Sequence, residues 1–257
     1  MAEYLAAAPK KSGRQMAAIT FDDGMKATFD NVSPVLRQEG LPATLFVSTV
    51  HLCGGEPLWF SYLNALCFEG HYQEVTVEGR RFRLVTLDEK KRARDEMRAM
   101  AKQFQRPTAF VALLKTAYPL PPETLLEYAG MTGDQLVAAG ESDLVEIGSH
   151  TVTHPYLTRA SPAEQTQEIS ESKSVLAALT GRPVRYFAYP GGDYDGAVLA
   201  RVRDAGYEAA FATRVRGVGP GPFEIGRVGI YSPSMIKFKL KAAGIVELAE
   251  TVGMRVG

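Results

Sequence analysis

The chain has 257 residues and 28.0 kDa, enough for one α/β barrel as a single domain and tight for two. Apolar residues make up 46% and charged residues 23%, which excludes a disordered chain, and 29 Lys plus Arg against 29 Asp plus Glu argue against nucleic acid as a partner. Two cysteines, Cys53 and Cys67, exclude a disulfide framework or a cysteine-only zinc module, and four histidines (His51, His71, His150, His154) are all that histidine chemistry can draw on.

The N-terminal stretch lacks the basic-then-apolar order of a secretory leader, and no segment reaches the roughly 18 apolar residues of a membrane span. The expectation is a cytoplasmic protein without a membrane span. Short apolar runs predict buried strands over Met16–Phe21, Ala43–Ser48, Leu144–Ile147, Arg185–Tyr189, Tyr207–Thr213 and Ile225–Ile230. Between them, helical patterns cover Thr28–Glu39, Leu58–Phe68, Leu87–Phe104, Gly133–Ala139, Ala163–Thr180, Ala197–Ala205 and Pro233–Thr251. Over Ala163–Thr180, Ile169, Leu176 and Leu179 share a face, and Gly181 stands where a helix stops. The alternation predicts a mostly parallel sheet with helices outside it, open or closed into a barrel.

Residues from about 51 to 140 differ. Glu74–Val85 has a hairpin pattern around Glu78-Gly79, and Asp88–Lys102 is a highly charged, solvated helix face. No Gly/Ser- or Pro-rich linker sets this stretch apart, so it is an expected, largely helical insertion within one domain spanning 1–257. Its Trp59, Phe60 and Tyr62 suit either a substrate wall, a partner contact or a core stripe at helical spacing.

Three segments carry chemistry. Thr20-Phe21-Asp22-Asp23-Gly24 ends an apolar run in two carboxylates; adjacent carboxylates stay ionised only beside a cation or donor, although Asp also caps helices. His150-Thr151-Val152-Thr153-His154 follows the apolar run Leu144–Ile147, and histidines four apart can share a metal or serve as ordinary structural residues. Pro155 disfavours a long helix here, so a strand-end loop with one turn is expected. Arg185-Tyr186-Phe187-Ala188-Tyr189-Pro190-Gly191-Gly192 runs from a strand into a turn whose amides can stabilise an oxyanion or simply close the chain onto the next helix.

Together, in this order, the three segments resemble the polysaccharide deacetylases, the NodB-homology group of family 4 carbohydrate esterases, over about Ala17 to Ile230. The resemblance implies a distorted (β/α) barrel and a divalent metal, most often zinc, on Asp23, His150 and His154. It implies Asp22 as the general base for the attacking water, Arg185 as the arginine orienting that base, and the Gly191 amide as the oxyanion donor. The expected substrate is an N-acetylated sugar, nucleotide- or lipid-linked, in cell-surface polysaccharide or glycolipid biosynthesis. Competing expectations are a hydrolase of cyclic imides or ureides and a non-catalytic sugar-binding barrel.

The chain departs from the family in two linked respects. The family places a leaving-group histidine in a late Leu-x-His motif, yet no histidine follows His154, and the corresponding stretch is Gly244-Ile245-Val246-Glu247-Leu248. The D-[ST]-x-D-W segment that tunes that histidine is also absent. The proton then comes from water or from protonated Asp22, or from His51 on its loop, or turnover is slow, since general acid catalysis contributes about 10²–10⁴-fold. Arg227 resembles a late-strand arginine of biosynthetic members; it can orient a carboxylate or stand as a surface residue.

Overall fold

In the computed structural model, which describes residues 1, 5, 17–53, 57–104, 106–218, 221–231 and 234–243, the apolar runs form short strands. They are β1 (Ile19–Phe21), β2 (Ala43–Val47), the antiparallel hairpin β3 (Glu74–Val77) and β4 (Arg80–Arg83), then β5 (Val145–Ser149), β6 (Tyr186–Ala188), β7 (Ala209–Ala212) and β8 (Ile225–Gly226). Six of them make one parallel sheet in the order β1-β2-β5-β6-β7-β8. The sheet curls with helices outside it as a distorted (β/α) barrel of the NodB type.

Register positions the site. Phe21 pairs with Leu45 and Val47 with Ser149, so Asp22, Ser48 and His150 all leave their strands at the same, C-terminal end, where α/β barrels place their chemistry. Alternate side chains fill two layers. Leu45, Val47, Val145, Ile147, Phe187 and Ala210 pack outward against helical Ile169, Leu176, Val198 and Val202. Phe46, Tyr186, Ala188, Ala209 and Phe211 pack on the other face. A Cβ at Gly148 would lie 2.6 Å from the Phe46 ring, so the glycine admits that ring. Burial on both faces is why the strands appear in sequence as continuous apolar runs.

The helices are α1 (Ser33–Glu39), α2 (Trp59–Phe68), α3 (Leu87–Ala101), α4 (Pro107–Ala117), α5 (Pro122–Leu126), α6 (Gly133–Gly140), α7 (Pro162–Thr180), α8 (Gly196–Asp204) and α9 (Met235–Ala242). The sequence pattern for Thr28–Glu39 divides into a π-helical turn, Thr28–Val32, and α1. Pro34 lacks the N–H that a continuous α-ladder would use there. Helices α4 and α5 are additions to the sequence expectation. Helix α7 begins with a capping box between Ser161 and Glu164 and ends at Gly181 in the left-handed region, φ 64°. It buries Ile169 and Leu176, whereas Leu179, in its last turn, is exposed.

The strand expected over Ile225–Ile230 stops at Gly226, and Val228 and Ile230 are exposed. Met16, Pro233, residues 244–251 of the expected last helix, and the 244–248 stretch lie outside the described residues. Within 51–140, α2, α3, α4 and the hairpin share a second apolar cluster containing Trp59, Tyr62, Leu66, Val75, Phe82, Met97, Phe110 and Leu114. Among the described residues no helix is long and apolar enough to cross a membrane.

Candidate active site

The chain past β1 turns sharply. Asp23 has φ 75° and Gly24 φ 78°, and a Cβ on Gly24 would stand 2.7 Å from Val47 Cγ1. Only glycine fits position 24. The Asp23 main-chain oxygen accepts from Ser48 N–H (3.2 Å) and from His51 Nε2 (3.1 Å). His51 is fully buried, in a 3₁₀ turn over Thr49–Cys53, not on an exposed loop as the sequence suggests. A carbonyl oxygen can only accept, so Nε2 carries the proton, and the ring supports the Asp23 backbone. Gly130 allows this arrangement, because a Cβ there would overlap the His51 ring at 1.8 Å.

The His150–His154 loop is built as expected, without a helix, and it holds backbone strain. Thr151 (φ 67°) and His154 (φ 57°), with Asp23, are three of the four non-glycine residues with positive φ among the described residues. Such conformations cost about 1–3 kcal/mol each and persist where surroundings enforce them. Here the enforcement is visible. Half-buried Glu168 of α7 accepts from Val152 N–H (2.8 Å), Thr153 N–H (2.9 Å) and Thr153 Oγ1 (2.6 Å). Ser48 Oγ donates to His150 O (2.9 Å), and Trp59 Nε1 to His154 O (3.0 Å). Neither Glu168 nor the anchoring role of Trp59 was evident from sequence, since both act on backbone atoms distant in the chain.

Asp23, His150 and His154 converge, each offering one ligand atom, all within 4.8 Å of one another. His150 Nδ1 donates to Ala188 O (2.7 Å), which leaves a lone pair on Nε2 facing Asp23 Oδ1 at 3.5 Å. His154 Nε2 stands 3.4 Å from the same oxygen. Burial lowers the pKa of His150 and pushes His154 down to about 4, so both rings are neutral near pH 7. The His150 lone pair aimed at a carboxylate is repulsive unless a cation lies between them. Ligand atoms around a tetrahedral ion with bonds of about 2.0–2.1 Å are roughly 3.3–3.4 Å apart, close to the separations seen. The donor set therefore fits a divalent metal. Burial and the adjacent Asp22 charge raise the pKa of Asp23, a cost that a cation would reverse.

Asp22 is gripped by an arginine, but not the expected one. Arg227 donates from Nη1 to Asp22 Oδ1 and from Nη2 to Asp22 Oδ2, both at 2.7 Å, and from Nη1 to Thr20 Oγ1 at 3.0 Å. Its guanidinium lies over the Phe46 ring, 5.2 Å from the centroid. Burial alone would raise the Asp22 pKa; the histidines and the Arg227 grip outweigh it and hold the carboxylate below its ordinary value. Arg185 instead donates to Glu146 Oε1 at 2.7 Å. The reason is positional: Arg185 precedes β6, at the barrel end opposite the site, and the roughly 3.3 Å rise per strand residue keeps it there.

Gly191 lies in a 3₁₀ turn, Pro190–Gly192, with φ 60°. The amides of Gly192 and Asp193 donate to Tyr189 O and Pro190 O, leaving the exposed Gly191 amide outside those bonds.

With the strand-end carboxylates, the paired histidines and the glycine turn at one barrel end, the comparison with known proteins is decisive. A family model described as Polysaccharide deacetylase matches residues 9–112 and 122–210, most of the chain. The chain belongs to the polysaccharide deacetylase family. That family comprises hydrolases of carbon–nitrogen bonds in N-acetyl groups. The match runs through most of the 51–140 stretch, breaks at 113–121, and ends before Arg227.

Among solved structures, this deacetylase is similar in fold to the Streptococcus pyogenes deacetylase PplD, determined in complex with acetate. Identity is 18% and the TM-score 0.53, over 93% of this chain and 74% of that one. It is also similar to BC0361, a polysaccharide deacetylase from Bacillus cereus, at 17% identity and TM-score 0.50, over 88% of this chain and 50% of that one. No curated protein sequence matches.

Proposed function

We propose that this deacetylase hydrolyses the acetamide of an N-acetylated sugar, with Asp23, His150 and His154 holding a divalent metal, zinc by the nitrogen-rich donor set. The observation that carries this reading is the convergence of two imidazole Nε2 atoms, His150's with its lone pair exposed, on one carboxylate beside a second, arginine-held carboxylate. When bound, a divalent ion lowers the pKa of water from about 15.7 toward 7 and polarises a carbonyl.

The chain's own residues do the rest. Asp22 takes a proton from the attacking water as its oxygen bonds to the acetamide carbon. The Gly191 amide donates to the oxyanion that develops. The C–N bond then breaks, and the protonated Asp22 returns its proton to the leaving nitrogen, giving acetate and a free amine. A carboxyl group with a lowered pKa is a ready donor once protonated, which suits this second task where the late family histidine is absent. His51, committed through Nε2 to the Asp23 backbone, supports the site instead.

The test is acetate release from N-acetylglucosamine oligomers and from nucleotide-linked N-acetylglucosamine, with metal supplied and with chelator present. Release that stops on chelation, and in Asp22→Asn protein that still binds metal, supports the proposal. Release that persists in both overturns it.

A further inference from the structure

Helix α3 places two cations beside the site. The Arg98 guanidinium stacks on Phe60 (Cζ 5.3 Å from the centroid), and Phe60 meets the His154 ring edge-on at 5.0 Å. One turn further on, the Lys102 Nζ stands 5.4 Å from the Tyr156 centroid. Tyr156 abuts the oxyanion turn, since a Cβ on Gly191 would be 3.0 Å from Tyr156 Cε1. Trp59 joins the two stacks, 5.4 Å from Phe60 and 6.1 Å from Tyr156. The result is one wall in which Phe60 contacts a metal-ligand histidine, Tyr156 contacts the glycine turn, and each carries a cation.

These cations are available. Among the described residues, neither Arg98 nor Lys102 has a side-chain hydrogen bond or an ion pair, although Arg98 is half-buried. The nearby Asp95 is paired with Arg94 instead. The helix C-terminus favours positive charge there but does not account for two unpaired cations stacked on the aromatic wall of the site.

Resting on the deacetylase reading, we propose that Arg98 and Lys102 form an anion subsite for the phosphoryl group of the substrate, so that the N-acetylated sugar is a glycosyl phosphate. Side chains four apart on a helix stand about 5–6 Å from each other at Cβ, so both can reach one dianionic phosphate. Nucleotide-linked and lipid-linked sugars share this group.

The test is equilibrium binding to the metal-loaded protein by calorimetry at low salt, which reads no turnover. The probes are N-acetylglucosamine 1-phosphate, uncharged N-acetylglucosamine and N-acetylmuramic acid, with its carboxylate. The 1-phosphate should bind at least 10-fold more tightly than the uncharged sugar. That advantage should fall about 10-fold in Arg98→Gln, several-fold in Lys102→Gln, and remain largely intact in Arg98→Lys. Lys102 is exposed, so its variant serves if Arg98→Gln does not fold.

No binding of the 1-phosphate, equal binding of the two glucosamine probes, or an advantage surviving in the Arg98→Gln/Lys102→Gln double variant overturns the proposal. A preference for the carboxylate probe overturns the phosphate assignment. Failure of acetate release, by contrast, would count against the deacetylase reading and leave the binding result in place.

Discussion

Arg227 and Asp22 belong to opposite edges of the sheet, yet they form a two-pronged ion pair, with both N···O distances 2.7 Å. Asp22 follows β1, the first strand in the sheet order, and Arg227 follows β8, the last. The pair is possible because the sheet curls until its two edges approach at the C-terminal end. Approach of the two sheet edges and orientation of Asp22, the proposed base, thus share one contact, and Thr20 and Phe46 hold the same guanidinium.

Removing that contact should damage catalysis more than folding. In Arg227→Met, Asp22 loses its orienting donors, and kcat/KM for acetate release should fall about 10²-fold or more, the scale of a misplaced acid–base group. The sign of the pH effect is fixed: without the arginine the Asp22 pKa rises, so the acidic limb of the pH–rate profile moves to higher pH. Arg185→Met, breaking a half-exposed pair with Glu146, should leave activity within about 2-fold and stability within about 1 kcal/mol. Equal damage from the two substitutions would refute the assignment.

Metal occupancy should be the most sensitive property of the site. Asp23→Ala, His150→Ala and His154→Ala each remove one of the three proposed ligands, and elemental analysis after dialysis should show substoichiometric metal in all three. Trp59→Phe keeps the ring but loses the bond to His154 O; it should weaken metal binding by about 10-fold, the lower range for an outer-shell partner. Full retention of metal in Asp23→Ala would contradict the donor set.

The division between what was legible in sequence and what was not follows chain separation. Asp22 and Asp23, His150 and His154, and Gly191 are local features at strand ends, each ambiguous by itself, and their order along the chain, through the family resemblance, brought them to notice. Arg227, marked in the sequence as able to orient a carboxylate or to stand at the surface, lies 205 residues from Asp22, and which of the two it does depends on how far the sheet curls, which no local pattern encodes. Arg185 sits inside a recognisable motif but on the wrong side of β6, and motif spacing does not show which end of a strand faces the site. The outline of the helices was legible where capping was strong, as at Ser161 and Gly181, and failed at α4 and α5, which begin on proline after irregular stretches.

Glu168 tests whether the histidine loop is held from outside. Its half-buried carboxylate accepts three hydrogen bonds from Val152 and Thr153; desolvation raises its pKa and those three donors oppose the rise. Glu168→Gln keeps the shape but replaces one acceptor oxygen with a donor, and should cost about 1–3 kcal/mol in stability. Because the strained Thr151 and His154 backbones depend on this hold, metal affinity should also fall about 10–100-fold. A stability loss with unchanged metal affinity would reduce Glu168 to an ordinary structural acceptor.

The low pKa of His154 makes the metal-free protein acid-sensitive in a definable window. Unfolded, the ring titrates near 6.5; folded, burial holds it at about 4. Between these values the unfolded chain binds more protons, so stability increases with pH there and is lost as pH falls from about 6.5 to about 4. A shift of that size corresponds to about 3 kcal/mol. Asp23 and Glu168, whose pKa values are raised, act in the opposite sense, so the histidine contribution is read as a difference. Urea unfolding of the chelated protein at pH 7 and pH 4.5 should show a smaller acid loss in His154→Gln than in the wild type. Added metal should raise stability at pH 7 and progressively less toward pH 4.5, because protons compete for the same lone pairs. Parallel pH dependence in the two proteins would mean that His154 is not held neutral by its burial.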